Sequence, residues 1–165
     1  MWGDIATSFL LAFIVSFVVT PYTIRLAKKK GAIDYPNDRR VNKVPVARLG
    51  GIAVIIGFLI SVIYLIVSMV LEGKFALIDS QRYGMKLLGF LLAIVELAVV
   101  SYIDDIKDVK PWVKLVAQVV AACVLFGFGV RIENIGEHIL HPALSFILTI
   151  GWIIGVTNAI NLIDG

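Results

Sequence analysis

The sequence predicts an all-α, polytopic integral membrane protein with five transmembrane helices. Its 165 residues are 59% hydrophobic and only 16% charged, and its mean hydropathy is +0.94. A soluble domain has roughly 45–50% apolar and about 25% charged residues, so the composition excludes an ordinary soluble protein. Residues 49–71 carry no charge. As a helix rising about 1.5 Å per residue, this run is long enough to cross the roughly 30 Å hydrocarbon layer of a bilayer.

Apolar runs separated by polar connections define the five helices in chain order. We predict them at residues 5–26, 49–71, 85–103, 111–130 and 143–162, joined by connections at 27–48, 72–83, 104–110 and 131–142. Pro21 lies near the end of the first helix, where membrane helices tolerate proline. Pro111 suits the first turn of the fourth helix. No linker or internal repeat interrupts the chain, so we predict one membrane domain over residues 1–165.

The basic residues predict the orientation of these helices, because lysine and arginine concentrate on the cytoplasmic side of a membrane. Eleven of them fall on one side: Arg25, Lys28, Lys29, Lys30, Arg39, Arg40, Lys43, Arg48, Lys107, Lys110 and Lys114. The other side has four: Lys74, Arg82, Lys86 and Arg131. The N-terminus is therefore predicted outside and the C-terminus in the cytoplasm. Three polar clusters, at 34–48, 104–114 and 158–164, then share the cytoplasmic face.

Asp104 and Asp105 stand together at the end of the third apolar segment. A helix C-terminus disfavours acids because the helix dipole already places partial negative charge there, and neighbouring carboxylates repel each other. Because both effects are unfavourable, we expect a cation close to this pair. It could be a metal, a lysine such as Lys107 or Lys114, or a substrate held through a metal. A solvated membrane boundary that simply carries charges is the alternative.

Asn158, Asn161 and Asp164 advance by three residues each, so on a helix they form one slowly drifting stripe. Amide and carboxylate oxygens in such a stripe can bind a hard cation or a polar ligand. Polar residues of spanning helices also serve as interhelical hydrogen-bond partners. The stripe by itself is compatible with both interpretations.

The basic loop before the second helix ends in Arg48 and Gly50-Gly51. Such loops fix topology and attract anionic lipid head groups, and arginine also grips phosphate with two nitrogens. The free amides that begin a helix favour anions as well. The chain has neither a Walker loop nor a dinucleotide glycine fingerprint, so a phosphate site here would be built from several loops.

Three further residue types need an interpretation. Glu96 lies inside the third helix, where an acid is a functional candidate or pairs with another helix. His138 and His141 are predicted to be surface residues. Cys123 is the only cysteine, which excludes an intrachain disulfide, and we expect it to pack as a small apolar residue.

Four motifs appear together and in order along the chain: Arg48-Leu49-Gly50-Gly51, Asp104-Asp105, the stretch from Lys114 to Gln118, and the stretch from Asn158 to Gly165. Together they resemble the polyprenyl-phosphate N-acetylhexosamine-1-phosphate transferases over essentially the whole chain. The resemblance implies transfer of a sugar 1-phosphate from a UDP-N-acetylhexosamine to undecaprenyl phosphate, with UMP as the second product. The motif after the basic loop is more similar to the N-acetylglucosamine branch, which starts teichoic acid, lipopolysaccharide and related glycans, than to the muramoyl-pentapeptide branch.

The resemblance also implies roles for particular residues. Asp104 and Asp105 would be catalytic, positioning or deprotonating the lipid phosphate, and Asn161 would be a metal ligand. The substrate-binding residues would be Arg48, Lys114, Asn158 and Asp164, with Lys114 at the pyrophosphate and Asp164 in the nucleotide site. The cofactor would be Mg²⁺, with Mn²⁺ as its substitute. The implied partners are the UDP-sugar, undecaprenyl phosphate, membrane lipids and optionally a second copy of the chain, but no nucleic acid. The implied location is the bacterial inner membrane, with the site facing the cytoplasm.

The sequence departs from the family pattern at Asn42, where a histidine is usual, and at Ala47, where a proline is usual. The family also continues beyond the position of Gly165, with further helices, another metal-binding aspartate and a histidine-rich loop. We therefore expect the 165-residue polypeptide alone to be inactive. A transporter or channel subunit and a non-catalytic membrane scaffold are the alternatives. The first predicts polar residues at mid-membrane, and the second gives no reason for the aspartate pair.

Overall fold

A computed structural model describes residues 2–36, 43–73 and 80–164. Within these ranges the chain forms five helices, as predicted: α1 (Trp2–Lys30), α2 (Gly50–Leu71), α3 (Ser80–Lys107), α4 (Pro111–Gly127) and α5 (Pro142–Asp164). Two short antiparallel ribbons join them, β1 (Ile33–Asp34) with β2 (Val46–Ala47), and β3 (Asn134–Ile135) with β4 (His138–Ile139). Neither ribbon was predicted from the sequence.

Four of these helices, α1, α2, α3 and α5, are long and apolar enough to cross a membrane. The chain is therefore a multi-pass membrane protein with an all-α fold. Helix α4 has 17 residues, which gives it a length of about 26 Å, slightly less than the hydrocarbon layer. It is three residues shorter than the predicted 111–130 because the chain leaves the helix after Gly127 and Gly129 adopts a φ of +84°. A fifth crossing through α4, and the orientation of all crossings, remain predictions.

The chain divides into two compact units, of which the first comprises Met1–Ile78 and Tyr102–Asp108. In this unit α1 packs closely against α2 at Gly57. A Cβ atom added there would lie 2.5 Å from the carbonyl oxygen of Ala12 and 2.2 Å from the Oγ of Ser16. Only a hydrogen side chain permits this approach of two helices, which is the packing mode of small residues in membrane bundles.

A small core fixes the polar end of the first unit. Ala27, Ala32 and Leu49 are 0–2% exposed, and Tyr102 and Ile106 at the end of α3 pack against them. The β1–β2 ribbon continues this core, since Ile33 pairs with Ala47 and Asp34 with Val46. The end of α1, the ribbon, the start of α2 and the last turn of α3 therefore form one packed assembly.

The second unit comprises Asp79–Ser101 and Val109–Gly165. Its core joins Ala93, Ala121 and Leu125, with Ile153 packed against them. The connection before α5 is tied down by side chains of that helix, because the Oγ of Ser145 donates to the carbonyl of Ile132 at 2.6 Å. The Oγ1 of Thr149 accepts the Ile132 N–H at 2.9 Å.

Several expectations from the sequence are wrong. Residues 27–30 and 80–83 were predicted to belong to connections, yet α1 continues to Lys30 and α3 begins at Ser80. Residues 104–107 were predicted to begin a polar loop, yet α3 continues through them to Lys107, because the polarity of a residue marks the membrane boundary rather than the end of a helix. Cys123 was expected to pack as a small apolar residue, yet it is exposed in the described part of the chain. Arg39, Arg40 and Asn42, which the sequence analysis singled out, lie outside the described residues.

Candidate functional site

The aspartate pair lies in the last turns of α3. Asp104 and Asp105 are both half-buried and helical, which places two carboxylates at the negative end of the helix dipole. The helix ends at Lys107. The next residue, Asp108, has a left-handed φ of +46°, and its N–H donates to the carbonyl of Asp104 at 2.9 Å. The predicted pair is therefore held on an ordered helix end rather than on a loop.

Arg48 connects two carboxylates that are distant in sequence. Its Nε and Nη2 donate to the Oδ1 of Asp34 at 3.1 and 2.9 Å, and its Nη1 donates to the Oδ1 of Asp108 at 2.9 Å. The guanidinium thus joins the β1–β2 ribbon to the residue that ends α3. Planar arginine suits such a bridge because its donors point in several fixed directions.

The family resemblance implied a substrate-binding role for Arg48 and none for Asp34 or Asp108. In the structure all three guanidinium nitrogens of Arg48 have carboxylate partners. A phosphate contact at Arg48 remains a prediction, and such a contact would compete with these ion pairs. The two acids of the bridge lie in two separate polar segments of the sequence. The sequence alone does not tell which acid an arginine contacts, so the bridge could not be predicted.

Helix α2 begins at Gly50, as the glycine pair suggested. Its N-cap is Leu49, which provides no side-chain hydrogen bond to the first turn, so side-chain capping does not use the amides there. No conclusion about an anion follows from this feature alone.

In the second unit, Asn158 of α5 is paired with Gln118 of α4. The Nδ2 of Asn158 donates to the Oε1 of Gln118 at 2.7 Å, and the Nε2 of Gln118 donates to the Oδ1 of Asn158 at 3.3 Å. Gln118 is only 5% exposed. The interhelical alternative of the sequence analysis is therefore observed for Asn158, and its predicted substrate contact remains a prediction.

The other predicted binding residues lie on helix ends. Lys114 is half-buried in the first turn of α4, and Asn161 is exposed near the end of α5. Asp164 is the last residue of that helix, and its side chain lies outside the described part of the chain. Asn158, Asn161 and Asp164 share one helix, as the three-residue spacing predicted.

Connectivity relates two of these helix ends. Only residues 108–110 separate α3 from α4, and their placement at one membrane face stays a prediction of the sequence. An acid pair at a helix C-terminus and a lysine at a helix N-terminus both oppose the helix dipole. Charges in such positions are candidates for a functional role.

The structure also describes the surroundings of Glu96, His138 and His141. The Oε2 of Glu96 is buried and has no hydrogen-bond partner among the described residues, and its role is untested. His138 and His141 are exposed, as predicted, and the Nδ1 of His141 accepts the N–H of Ala143 at the start of α5. Within residues 2–36, 43–73 and 80–164 no group of three or more histidines, cysteines and acids forms a metal cluster.

The fold and its polar helix ends define a multi-pass α-helical membrane protein with carboxylates, amides and basic groups near the bilayer surface. Comparison with known families and proteins makes this class specific. Residues 87–165 match the family described as glycosyl transferase family 4. The chain is similar to this family over these residues, and the relatives described next are bacterial proteins.

A Bacillus subtilis relative named "probable undecaprenyl-phosphate N-acetylglucosaminyl 1-phosphate transferase" is 29% identical over 98% of this chain and 42% of its own length. The decaprenyl-phosphate N-acetylglucosaminephosphotransferase of Mycobacterium tuberculosis is 28% identical over 98% of this chain and 40% of its own. A phospho-N-acetylmuramoyl-pentapeptide-transferase of Halalkalibacterium halodurans is 25% identical over 96% of this chain and 50% of its own. The chain thus spans about two fifths to one half of the length of these relatives. No solved structure matches it significantly.

Proposed function

We propose that this protein transfers N-acetylglucosamine 1-phosphate from UDP-N-acetylglucosamine to undecaprenyl phosphate. The observation that carries the proposal is the half-buried Asp104–Asp105 pair on the last turns of a membrane-length helix. It occurs in a chain that aligns over 98% of its length with relatives named for this class of transfer. The N-acetylglucosamine donor is preferred because the relatives named for it include those of higher identity.

The reaction exchanges one pyrophosphate linkage for another. A phosphate oxygen of the lipid forms a bond to the phosphorus that carries the sugar, and the bond from that phosphorus to the oxygen of UMP breaks. The products are a lipid-linked pyrophosphoryl sugar and UMP. Because both reactants are anions, the site must offset their repulsion and bring them together at the membrane surface.

Different residues of this chain can bind the phosphates and move the proton. Lys114 offers a cation at the start of α4, where a pyrophosphate also meets the positive end of the helix. Asp104 or Asp105 accepts a proton from the lipid phosphate or orients it through that proton. Asn161 adds an amide near the end of α5, and we propose Asp164 for the nucleotide site.

The donor set fits Mg²⁺ in its chemistry. Carboxylate and amide oxygens are hard ligands, and Mg²⁺ is commonly held by one or two carboxylates together with substrate phosphates. Asn161 is the residue of this chain that we propose as a metal ligand, and Mn²⁺ is the expected substitute. When bound, the ion would neutralise charge on the phosphate oxygens.

We further propose that the site faces the cytoplasm from the bacterial inner membrane and supplies a lipid-linked sugar for cell-envelope glycans such as teichoic acid or lipopolysaccharide. The predicted topology assigns eleven of the fifteen basic residues and the three polar clusters to one side, which supports this orientation. Because the chain spans only about two fifths of the length of several relatives, we expect the 165-residue polypeptide assayed alone to give no transfer.

The test is a transfer assay on membranes that contain the complete gene product. UDP-N-acetylglucosamine labelled in the sugar is mixed with undecaprenyl phosphate, and organic-soluble label and free nucleotide are measured. We expect labelled lipid and UMP in equal amounts, loss of both with a chelator, and recovery with Mg²⁺. Release of UDP in place of UMP would contradict phosphosugar transfer, and preference for the muramoyl-pentapeptide donor would contradict the branch assignment.

A further inference from the structure

The two carboxylates that Arg48 contacts differ in their exposure to solvent. The Arg48 side chain is 24% exposed and that of Asp34 is 18% exposed, whereas that of Asp108 is 87% exposed. Ion pairs strengthen as solvent is excluded, so the contact with Asp34 is the stronger one. Arg48 is therefore anchored on the ribbon and reaches out to Asp108.

The backbone around Arg48 is also fixed. Its N–H donates to the carbonyl of Ala32 at 3.0 Å, and the N–H of Ala32 donates to the carbonyl of Ala27 at 3.0 Å. Leu49, which follows Arg48, is fully buried, and so are Ala27 and, almost completely, Ala32. The base of the arginine side chain thus belongs to the packed core of the first unit, which makes it a rigid support.

The other end of the bridge is a position that needs support. Asp108 adopts a left-handed backbone conformation, which is unfavourable for residues with a side chain although aspartate tolerates it better than most. Its N–H closes the last turn of α3 on the carbonyl of Asp104. Asp105 and Asp104 precede it by three and four residues, which is one helical turn. A contact that holds Asp108 in place therefore also restrains the helical turn that contains the aspartate pair.

We propose that Arg48 is a positioning residue that clamps the left-handed end of α3 to the β1–β2 ribbon and thereby fixes the aspartate pair. The clamp consists of Asp34, Arg48 and Asp108. Its structural effect stands on these contacts alone, whereas its catalytic consequence depends on the proposed function. This role differs from the substrate contact that the sequence suggested for Arg48, and the two roles predict different kinetics.

The first measurement is hydrogen exchange of the amides of residues 104–108 in the complete gene product in lipid nanodiscs. Asp108→Asn removes the charge but keeps a residue that tolerates the left-handed conformation, and we expect about two- to fivefold faster exchange. Arg48→Gln removes the contacts with both Asp34 and Asp108, and we expect an increase of about tenfold or more. The matched control is Arg131→Gln, which breaks a 3.1 Å pair with Glu133 on another connection and should leave these amides unchanged.

Unchanged exchange at residues 104–108 in both clamp variants would overturn the proposal. Because Asp108 is exposed, Asp108→Asn keeps the test valid if Arg48→Gln fails to fold. The same result in the Arg131→Gln control as in the clamp variants would also overturn it, since the effect would then not be specific to Arg48.

Steady-state kinetics is the second measurement. A positioning role predicts that Asp108→Asn and Arg48→Gln lower kcat, by about tenfold or more for Arg48→Gln, with little change in KM. A rise in KM for the UDP-sugar at constant kcat would show that Arg48 binds substrate, and would overturn the positioning role. If the unmodified protein makes no lipid-linked sugar, the proposed function fails, and the exchange result still decides the clamp.

Discussion

Gln118 and Asn158 exchange two side-chain hydrogen bonds, and so join α4 to α5 next to the polar end of α5. Both amides are satisfied by this exchange, and the Nδ2 of Asn158 also donates to the carbonyl of Ile154. Because Gln118 is buried, removing one partner leaves a polar group without its bond in an apolar setting. The pair therefore holds this part of α5 against α4.

We predict that Gln118→Leu destabilises the protein by about 0.6–2 kcal/mol, the range for interhelical hydrogen bonds in membranes. The measurement is denaturation in mixed micelles. Asn158→Leu should cost a similar amount, and the double variant should cost less than the sum of the two. Additive losses would show that the two amides do not act as a pair.

The close approach of α1 and α2 gives a second prediction. Gly57→Ala places a Cβ against the backbone carbonyl of Ala12 and the Oγ of Ser16, so the helices must separate, at a cost of about 1–3 kcal/mol. A thermal unfolding assay on solubilised protein should show a lower Tm. Gly155→Ala is the control, since nothing lies within 4 Å of the added atom. Equal Tm values for Gly57→Ala and the unmodified protein would contradict this packing.

A third prediction concerns pH. The hydrogen bond from Arg131 lowers the pKa of Glu133 below its usual value of 4.5, and the charges of Arg131, Arg82 and Lys86 add to this effect. Since the folded pKa is depressed, the associated stability is present above about pH 4.5. It is lost as the pH falls through the folded pKa. A carboxyl-carbon NMR titration should show the lowered midpoint.

Arg131→Gln should move that midpoint upward, and added salt should do the same in part because Glu133 lies at the surface. Arg25→Gln, which alters an arginine of the first unit, is the control and should leave the titration of Glu133 unchanged. An unaltered midpoint in Arg131→Gln would show that the hydrogen bond at 3.1 Å does not govern this carboxyl.

The sequence predicted the five helices because long apolar runs are a direct consequence of membrane burial. The end of α3 was harder to predict. Hydropathy changes at Asp104, yet the helix continues to Lys107, since nothing in residues 104–107 prevents helical geometry. The chain turns at Asp108, and Lys110 then adopts the extended conformation that Pro111 requires of the residue before it.

The candidate site could be predicted only as residues, not as contacts. The Asn158 stripe followed from its spacing, but its partner Gln118 lies 40 residues away. Arg48 was singled out as a cation, and the sequence could not show that it contacts Asp34 and Asp108. Such pairings depend on where the packed core places each side chain. The β1–β2 ribbon is likewise set by a non-local backbone pairing that two-residue strands do not signal.

The central claim is that the acids at the end of α3 serve phosphosugar transfer, and UMP release by the complete gene product tests it most directly. Asp104→Asn and Asp105→Asn each preserve size and remove the charge, and we predict a loss of initial rate of about a hundredfold or more. Ser101→Ala, one turn earlier on an exposed position of α3, should retain the rate. Unchanged UMP release in both aspartate variants would contradict the account, whereas loss of release in both, with Ser101→Ala still active, is the result that it predicts.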